Sequence, residues 1–437
     1  MKKNQTKTWL RFAAASLLTV MLLCNVAFAA PLELTLDNAV KMALETNPTG
    51  KMAFYDFEAA KGALTAARSY RWPTVTYNNT SLSSWAGTRS NYLNYYDPNF
   101  TTFKYSNTLT LNWTLWAGNK IESQVSQAKL NLDSSKWGVD LAKQQLKYSA
   151  TSAYFTLMGA RDLVKLDEES VDRLEQYLRD VRLQFDVGVV AKVDVLRSEV
   201  SLAQAQQDLI TARAAFDVAM ANLNTIIGQP LSTELVVQGD LSTDIYQDPL
   251  SKCMDKALRQ RPEISQYTDA AKSAQEAITI ARAGYLPTVS AVFQPGWYDN
   301  TFPGGNNYNW TAYLSTSWTI MDSGLTAGNL KAAIERYHKA QEQLRQTVDN
   351  VRLDVQSTYL SLKSSEQSIE TSKSAVGLAE EDYKIKVIRY QAGVGTNLDV
   401  LDSQVALTTA KNNYLKAIYG NSTFRARLDQ AMGVPVN

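Results

Sequence analysis

Between Thr102 and Leu115 the chain alternates with a period of two. Phe103, Tyr105, Leu109, Leu111, Trp113 and Leu115 share one face, interrupted only by Asn107; Thr102, Lys104, Ser106, Thr108, Thr110, Asn112 and Thr114 share the other. A later stretch repeats the pattern. There Tyr308, Trp310, Ala312, Leu314, Trp318 and Ile320, interrupted only by Thr316, oppose Asn309, Thr311, Tyr313, Ser315, Ser317 and Thr319. Such alternation predicts strands. With the extended segments before them, four strands are expected, over about 74–86, 102–116, 287–298 and 308–321. Ahead of each pair the pattern is helical. Short helices run from Leu36 to Asn47 and from Leu250 to Arg261, each before a proline, and Ala-rich helices span about 49–70 and 263–285. Pro73 and Pro287 end the latter and begin extended chain.

Behind each strand pair the period becomes helical again. No proline occurs in about 119–187 or 328–390. Helices of that length extend roughly 90–100 Å at about 1.5 Å per residue, more than a globular domain needs. Their seams are heptad-like: Val139, Ala142, Leu146, Ala150, Ala153, Leu157, Ala160 and Val164, continued by Val171, Leu174, Leu178, Val181 and Phe185; then, seven apart, Val355, Leu362, Ile369, Val376, Tyr383 and Tyr390. This spacing predicts coiled-coil packing. Gly188 and Gly393 mark turns, after which shorter helices return over about 193–227 and 398–432.

The chain is therefore written twice. Ala67-Arg68 and Pro73-Thr74-Val75 recur as Ala281-Arg282 and Pro287-Thr288-Val289, a shift of 287 − 73 = 214 residues. Trp113-Thr114, Gly188, Asp194-Val195-Leu196 and Gly228 recur as Trp318-Thr319, Gly393, Asp399-Val400-Leu401 and Gly433, a shift of 318 − 113 = 205. The first copy carries 214 − 205 = 9 extra residues between its strands, in the polar, aromatic loop around 91–99. Residues 30–230 form the first repeat, 231–249 a linker or equatorial region, and 250–437 the second. A duplication this long restricts the fold before any motif is read.

Composition changes the picture mainly at the N-terminus. Lys2, Lys3, Lys7 and Arg11 precede an apolar run from Phe12 to Val26 and an Ala27-Phe28-Ala29 box, so residues 1–29 are expected to be an export signal. Removing them takes away four of the 44 Lys and Arg and none of the 43 Asp and Glu. The mature chain is then slightly acidic, with no broad attraction to nucleic acid. One cysteine remains, Cys253, and one thiol makes no internal bridge. A mature chain with one histidine, His338, offers no usual metal or nucleophile site. The acidic runs 167–169 and 380–382 read as wet helix faces. Neither an enzyme nor a cofactor is expected.

The alternating strands fit either a half-buried sheet of a soluble sandwich or a membrane barrel. Two features favour the barrel. The opposite face is mostly Thr, Ser and Asn, as a wet lumen requires. Aromatics crowd the strand ends, with Trp72, Trp113, Trp116 and Trp318 among the expected membrane-interface residues and Tyr70, Trp85, Tyr285 and Trp297 beside them. Four strands cannot close a barrel, and an open sheet edge does not survive in lipid. Two chains would give eight strands, a bore that side chains fill; three give twelve and leave a channel.

These residues resemble the TolC-type outer-membrane efflux proteins across nearly all of the mature chain. The resemblance rests on the duplication, the Ala-Arg-x4-Pro-Thr-Val junctions and the Gly-x5-Asp-Val-Leu turns at Gly188–Leu196 and Gly393–Leu401. It implies a mainly α fold with transmembrane β: a duplicated repeat of long antiparallel coiled-coil helices plus four β-strands per chain. A homotrimer would then form a twelve-stranded barrel in outer-membrane lipid and an α-helical tunnel in the periplasm. A periplasmic adaptor and an inner-membrane pump of RND or ABC type would be the partners of this efflux or type I secretion duct. A coiled-coil scaffold or adhesin displayed through an oligomeric barrel is the alternative.

The tips carry the candidate functional residues. Gly188, Val189, Gly393 and Val394 are expected to dock the adaptor, besides making the turns. Asp194, Asp399 and Asp402 would form charged rings if they face a pore. Helix capping is an equal reading for Asp194 and Asp399; Asp402, a turn further on, is the better selectivity candidate. By the resemblance, Asp194 and Tyr390 match two latch positions of the closed tunnel. The family's latch arginine aligns with Gly395 and a threonine partner with Val193. A tip closed by packing and Tyr390, with few charged links, is therefore expected.

Overall fold

A computed structural model describes residues 32–85, 101–238 and 245–436. The export signal expected over 1–29 and the loop expected around 91–99 lie outside the described residues. In chain order the elements are β1 (Leu32–Leu34), α1 (Leu36–Thr46), α2 (Pro48–Ser69), β2 (Thr74–Trp85), β3 (Thr101–Trp116), α3 (Lys120–Asp186), α4 (Lys192–Ile227), β4 (Leu235–Val237), α5 (Leu250–Gln260), α6 (Pro262–Arg282), β5 (Thr288–Asp299), β6 (Asn307–Ser317), α7 (Leu325–Gln391) and α8 (Asn397–Ala431). The long helices α3 and α7 each have 67 residues, about 100 Å of helix. Their ends obey the duplication: 325 − 120 = 205 and 391 − 186 = 205.

Local chemistry sets the boundaries. Asn47 caps α2 by accepting the Thr49 N–H at 2.9 Å, with Pro48 in the first turn, where its missing N–H costs nothing. Gly433 ends α8 at φ +71°, and a Cβ there would stand 2.9 Å from the backbone of Gln260 and Arg261. Only glycine fits both the left-handed conformation and that approach.

The chain packs as two compact units, each built from both repeats. One comprises Leu44–Ser149, Thr243–Glu370 and Gly420–Asn437. It holds the four-stranded antiparallel sheet, in the order β2-β3-β5-β6. Pairing aligns Val75 with Leu111, Leu111 with Phe293, and Phe293 with Ala312, so apolar residues share one face across all four strands. Val75, Tyr77, Leu109, Phe293, Trp310 and Leu314 are all exposed. Asn107 interrupts this face because it is a hydrogen-bond hub: it accepts from the Tyr77 hydroxyl at 2.7 Å and donates to Pro303 O at 2.7 Å. The helical core of this unit gathers Cys253, Ala257, Val351, Val355, Leu362 and Leu428. Beside it Asp354 takes Arg261 at 3.0 Å and Arg427 at 2.8 Å.

β6 stops at Ser317, not at 321. Among the described residues it is an edge strand, paired only with β5, whose first residue Thr288 lies opposite Ser317. Beyond that point nothing among the described residues continues the ladder. The Asp322 carboxylate instead accepts the Gly324 and Thr326 N–H groups at 3.0 and 2.7 Å and starts α7. Trp318 leaves the sheet and donates its indole N–H to Tyr285 O at 3.1 Å. Trp113, its counterpart, donates to Arg71 O at 2.9 Å; the acceptors are related by 285 − 71 = 214, the donors by 318 − 113 = 205.

The other unit comprises the chain up to Ala43, Ala150–Ser242 and Thr371–Tyr419. β1 and β4 pair in parallel here, Leu32 opposite Leu235. The pattern of alternation does not predict these three-residue strands. They hold because Leu34, Leu235 and Val237 are buried with Leu157, Leu223 and Ile227. The buried Tyr154 hydroxyl donates to Leu34 O at 3.0 Å and contacts Gln238 O at 2.5 Å. A second cluster packs Val171, Leu174, Tyr177 and Val181 of α3 against Ala205 of α4 and Val400 and Leu401 of α8. The heptad seam explains most of these burials, but Phe185, its last member, is exposed.

Candidate functional site

The second cluster lies beside both helical turns. At the first, the Gly188 N–H bonds Phe185 O at 2.9 Å and the Val189 N–H bonds Gln184 O at 2.8 Å. At the second, Gly393 bonds Tyr390 O and Val394 bonds Arg389 O, both at 3.0 Å. This six-to-one and five-to-two pairing closes a helix around a left-handed glycine, and φ is +78° at Gly188 and +74° at Gly393. The turns leave Val189 72% and Val394 65% exposed, with Val187 and Phe185 also open.

The helices that follow are capped differently. Ala191 stands at the N-cap of α4 and has no side chain to offer. Thr396 stands at the N-cap of α8 and forms a capping box: its hydroxyl accepts the Asp399 N–H at 3.1 Å, and its own N–H reaches Asp399 Oδ2 at 3.2 Å. Lys386 pairs with the other Asp399 oxygen at 3.3 Å. The Thr396 hydrogen bonds, then Lys386, hold the Asp399 carboxyl below the usual range. Asp399 is thus a capping residue. Asp402 is exposed one turn further along α8.

Asp194 is half-buried and belongs to a polar knot. Asn397, 3% exposed, donates to Asp194 O at 3.0 Å and accepts the Tyr177 hydroxyl at 2.7 Å. Ser198 contacts both Asp194 O, at 2.9 Å, and the Asn397 side chain, at 3.4 Å. The Tyr177 and Tyr390 rings lie 5.7 Å apart at 53°. With Tyr177 committed to Asn397, the buried Tyr390 hydroxyl is left without a hydrogen-bond partner. Burial pushes the Tyr177 hydroxyl well above the ordinary tyrosine range, and the neighbouring Tyr390 and Asp194 add to the push. Burial likewise raises Tyr390.

The structure therefore joins Asp194 and Tyr390 through one cluster and leaves Asp399 and Asp402 out of it. Tyr177 and Asn397 were not among the sequence candidates. The available signal was divergence between the copies: the counterpart of Asn397 is the exposed Lys192. At Gly395 an added Cβ would meet Tyr390 N at 3.0 Å and Arg389 C at 3.2 Å, so a side chain there presses on the helix end. Val193 is exposed. The expected interface residues Trp72, Trp113, Trp116 and Trp318 are all exposed, and Trp113 and Trp318 are also held by their indole bonds.

Comparison with known proteins bears on the family and the fold. The model of the outer membrane efflux protein family matches residues 39–229 and 253–434, once for each repeat. The chain is 25% identical to the alkaline protease secretion protein AprF of Pseudomonas aeruginosa, over 99% of this chain and 90% of that protein. It is 26% identical to the outer membrane protein TolC of Escherichia coli, over 72% of this chain and 71% of the relative. Among solved structures, CusC superposes with a TM-score of 0.83 at 18% identity, covering 94% of this chain and 95% of CusC. VceC of Vibrio cholerae superposes with a TM-score of 0.79 at 18% identity, covering 91% and 96%.

Proposed function

This chain belongs to the outer membrane efflux protein family, and on that premise we propose that three copies form an exit duct opened at its periplasmic helix tips by partner proteins. It is an outer-membrane channel with its helical part in the periplasm. The observation that carries the duct is the sheet. β2 and β6 are its outer strands, each hydrogen-bonded on one side only among the described residues, and its exposed face carries Val75, Tyr77, Leu109, Trp310 and Leu314. An apolar face of this extent suits lipid, and open edges in lipid must close. Three copies supply twelve strands, which leave a channel.

The conduit itself is passive and performs no catalysis. Energy comes from an inner-membrane pump of RND or ABC type, through a periplasmic adaptor. The relatives' names include both protease secretion and toluene efflux, so the duct serves tripartite efflux or type I secretion. Val189 and Val394, exposed at turns that glycine alone makes without strain, support adaptor docking at the tips. The knot of Asp194, Tyr177, Asn397 and Tyr390 supports a closed tip held by packing and neutral hydrogen bonds. Asp402, exposed beyond the capping box, is the candidate for a charged selectivity ring.

Two measurements test this reading. Deleting the gene should increase sensitivity to toxic compounds or abolish secretion of a protein cargo; unchanged export of both kinds would refute the duct. In planar bilayers Asn397→Ala and Tyr390→Ala should each raise single-channel conductance, since Asp194 enters the knot through its backbone oxygen, which Asn397 holds. Wild-type conductance in both variants would remove these residues from the gate.

A further inference from the structure

Just inside the tip, α3 and α7 enclose a cleft of about 470 Å³, within the range of small-molecule sites. Tyr177, Tyr383 and Tyr390 line it together with Arg173. Among the described residues Arg173 pairs with Glu169 alone, through Nη1 at 3.6 Å. Its Nε and Nη2 are buried and have no hydrogen-bond partner. Those two N–H groups share one edge of the guanidinium, the edge that grips a carboxylate through two parallel bonds. Asp180, the acid that lines the cleft, forms no ion pair with it. A buried cationic edge left unpaired is strongly unfavourable, so the arrangement asks for an anion. The Tyr390 hydroxyl in the same cleft is buried without a partner as well and is free to donate. The walls beside these donors are aromatic rings, which favour a flat apolar body.

We propose that this cleft binds a small aromatic carboxylate, with its carboxylate on Arg173 Nε and Nη2 and its ring among Tyr177, Tyr383 and Tyr390. The site goes beyond the duct reading and does not depend on it. Arg173 and Tyr177 stand on α3, Tyr383 and Tyr390 on α7. An occupant therefore ties the two long helices together beside the gate candidates.

The probe is benzoate, with benzamide as a neutral molecule of the same shape, titrated calorimetrically into the full assembled chain in detergent. Benzoate should bind saturably and benzamide at least tenfold more weakly; that contrast needs no variant and so no refolding control. Arg173→Lys should weaken benzoate at least tenfold, because an ammonium does not present the bidentate edge. Tyr390→Phe should weaken it a few-fold, and Glu169→Gln should leave it unchanged or tighter. The proposal is overturned if wild-type protein shows no saturable benzoate binding, if benzamide binds equally well, or if Arg173→Lys binds like wild type. It is also overturned if benzoate is ignored while Arg173→Gln splits the assembly into monomers, an outcome that assigns the edge to a carboxylate of another copy. The readout is binding, so its failure is distinct from a channel that fails to open.

Discussion

The two glycine turns share one backbone and differ in what holds the next helix. Both close with the same pair of hydrogen bonds and a left-handed glycine. After Gly188, α4 begins at an alanine with no side-chain cap, and the ion pair nearest the turn that ties it to α3 is the exposed Arg182–Glu199 pair at 2.6 Å. Exposed pairs of this kind contribute roughly 0–1 kcal/mol. After Gly393, α8 begins with a capping box, a lysine on its acid and a buried asparagine that reaches α3 and α4. Duplication supplied two equal turns, and divergence tied one of them down. The second tip is the anchor and the first is the looser lip.

The sharpest way to break this contrast is Asn397→Ala. It strands the buried Tyr177 hydroxyl and frees Asp194 O from one of its two side-chain donors. A buried group that loses its partner costs about 1–3 kcal/mol. The matching change, Lys192→Ala, removes an exposed side chain and should fall within about 0.5 kcal/mol. Native-state hydrogen exchange across the first turns of α4 and α8 reads both. Equal loss of protection from the two changes would erase the anchor.

A smaller effect sharpens the comparison from the other side. Thr396→Ala removes the cap of α8 and should cost about 1 kcal/mol. Ala191→Thr installs the same cap on α4, where Asp194 already stands three residues on and the N-cap backbone is extended, at φ −83° and ψ 155°. It should stabilise the first tip by about as much and draw Asp194 toward the new cap. Thermal melts of the two variants should move in opposite directions; a shift of the same sign in both would show that capping does not distinguish the tips.

Much of the fold was legible in the sequence, and the reasons are local. Proline-free heptads give α3 and α7, and Gly188 and Gly393 stop them because positive φ favours glycine. What was hidden depends on contacts distant in the chain. β1 and β4 are too short to show a period and exist because Tyr154 and the core around Leu34 hold them. β6 ends early because its partner β5 begins at Thr288, opposite Ser317. Arg173, which pairs with Glu169 one turn away, carries no signal of its own in the sequence. Only the packing of α3 on α7 reveals the two nitrogens left over. Asn397 was visible only as a difference between the copies, and that difference is the most economical guide to the anchored tip.

The smallest effect separates the tips by pH. Asp399 has its carboxyl held below the usual value by Thr396 and then Lys386. A lowered acid contributes stability above its unfolded pKa, about 3.9, and loses it as pH falls through the lower folded value. Acid should therefore loosen the start of α8. Tyr177 is the opposite case: burial raises it, so its contribution is present below its unfolded pKa, about 10, and is lost as the pH climbs above that. Alkali should therefore loosen the contact between Tyr177 and Asn397 while leaving the box between Thr396 and Asp399 intact. Protection factors at Asn397–Leu401 and Lys192–Leu196, corrected for intrinsic exchange, check the acid arm. Below about pH 4 the first segment should lose protection before the second, and simultaneous loss would mean that the capping box does not hold the second tip.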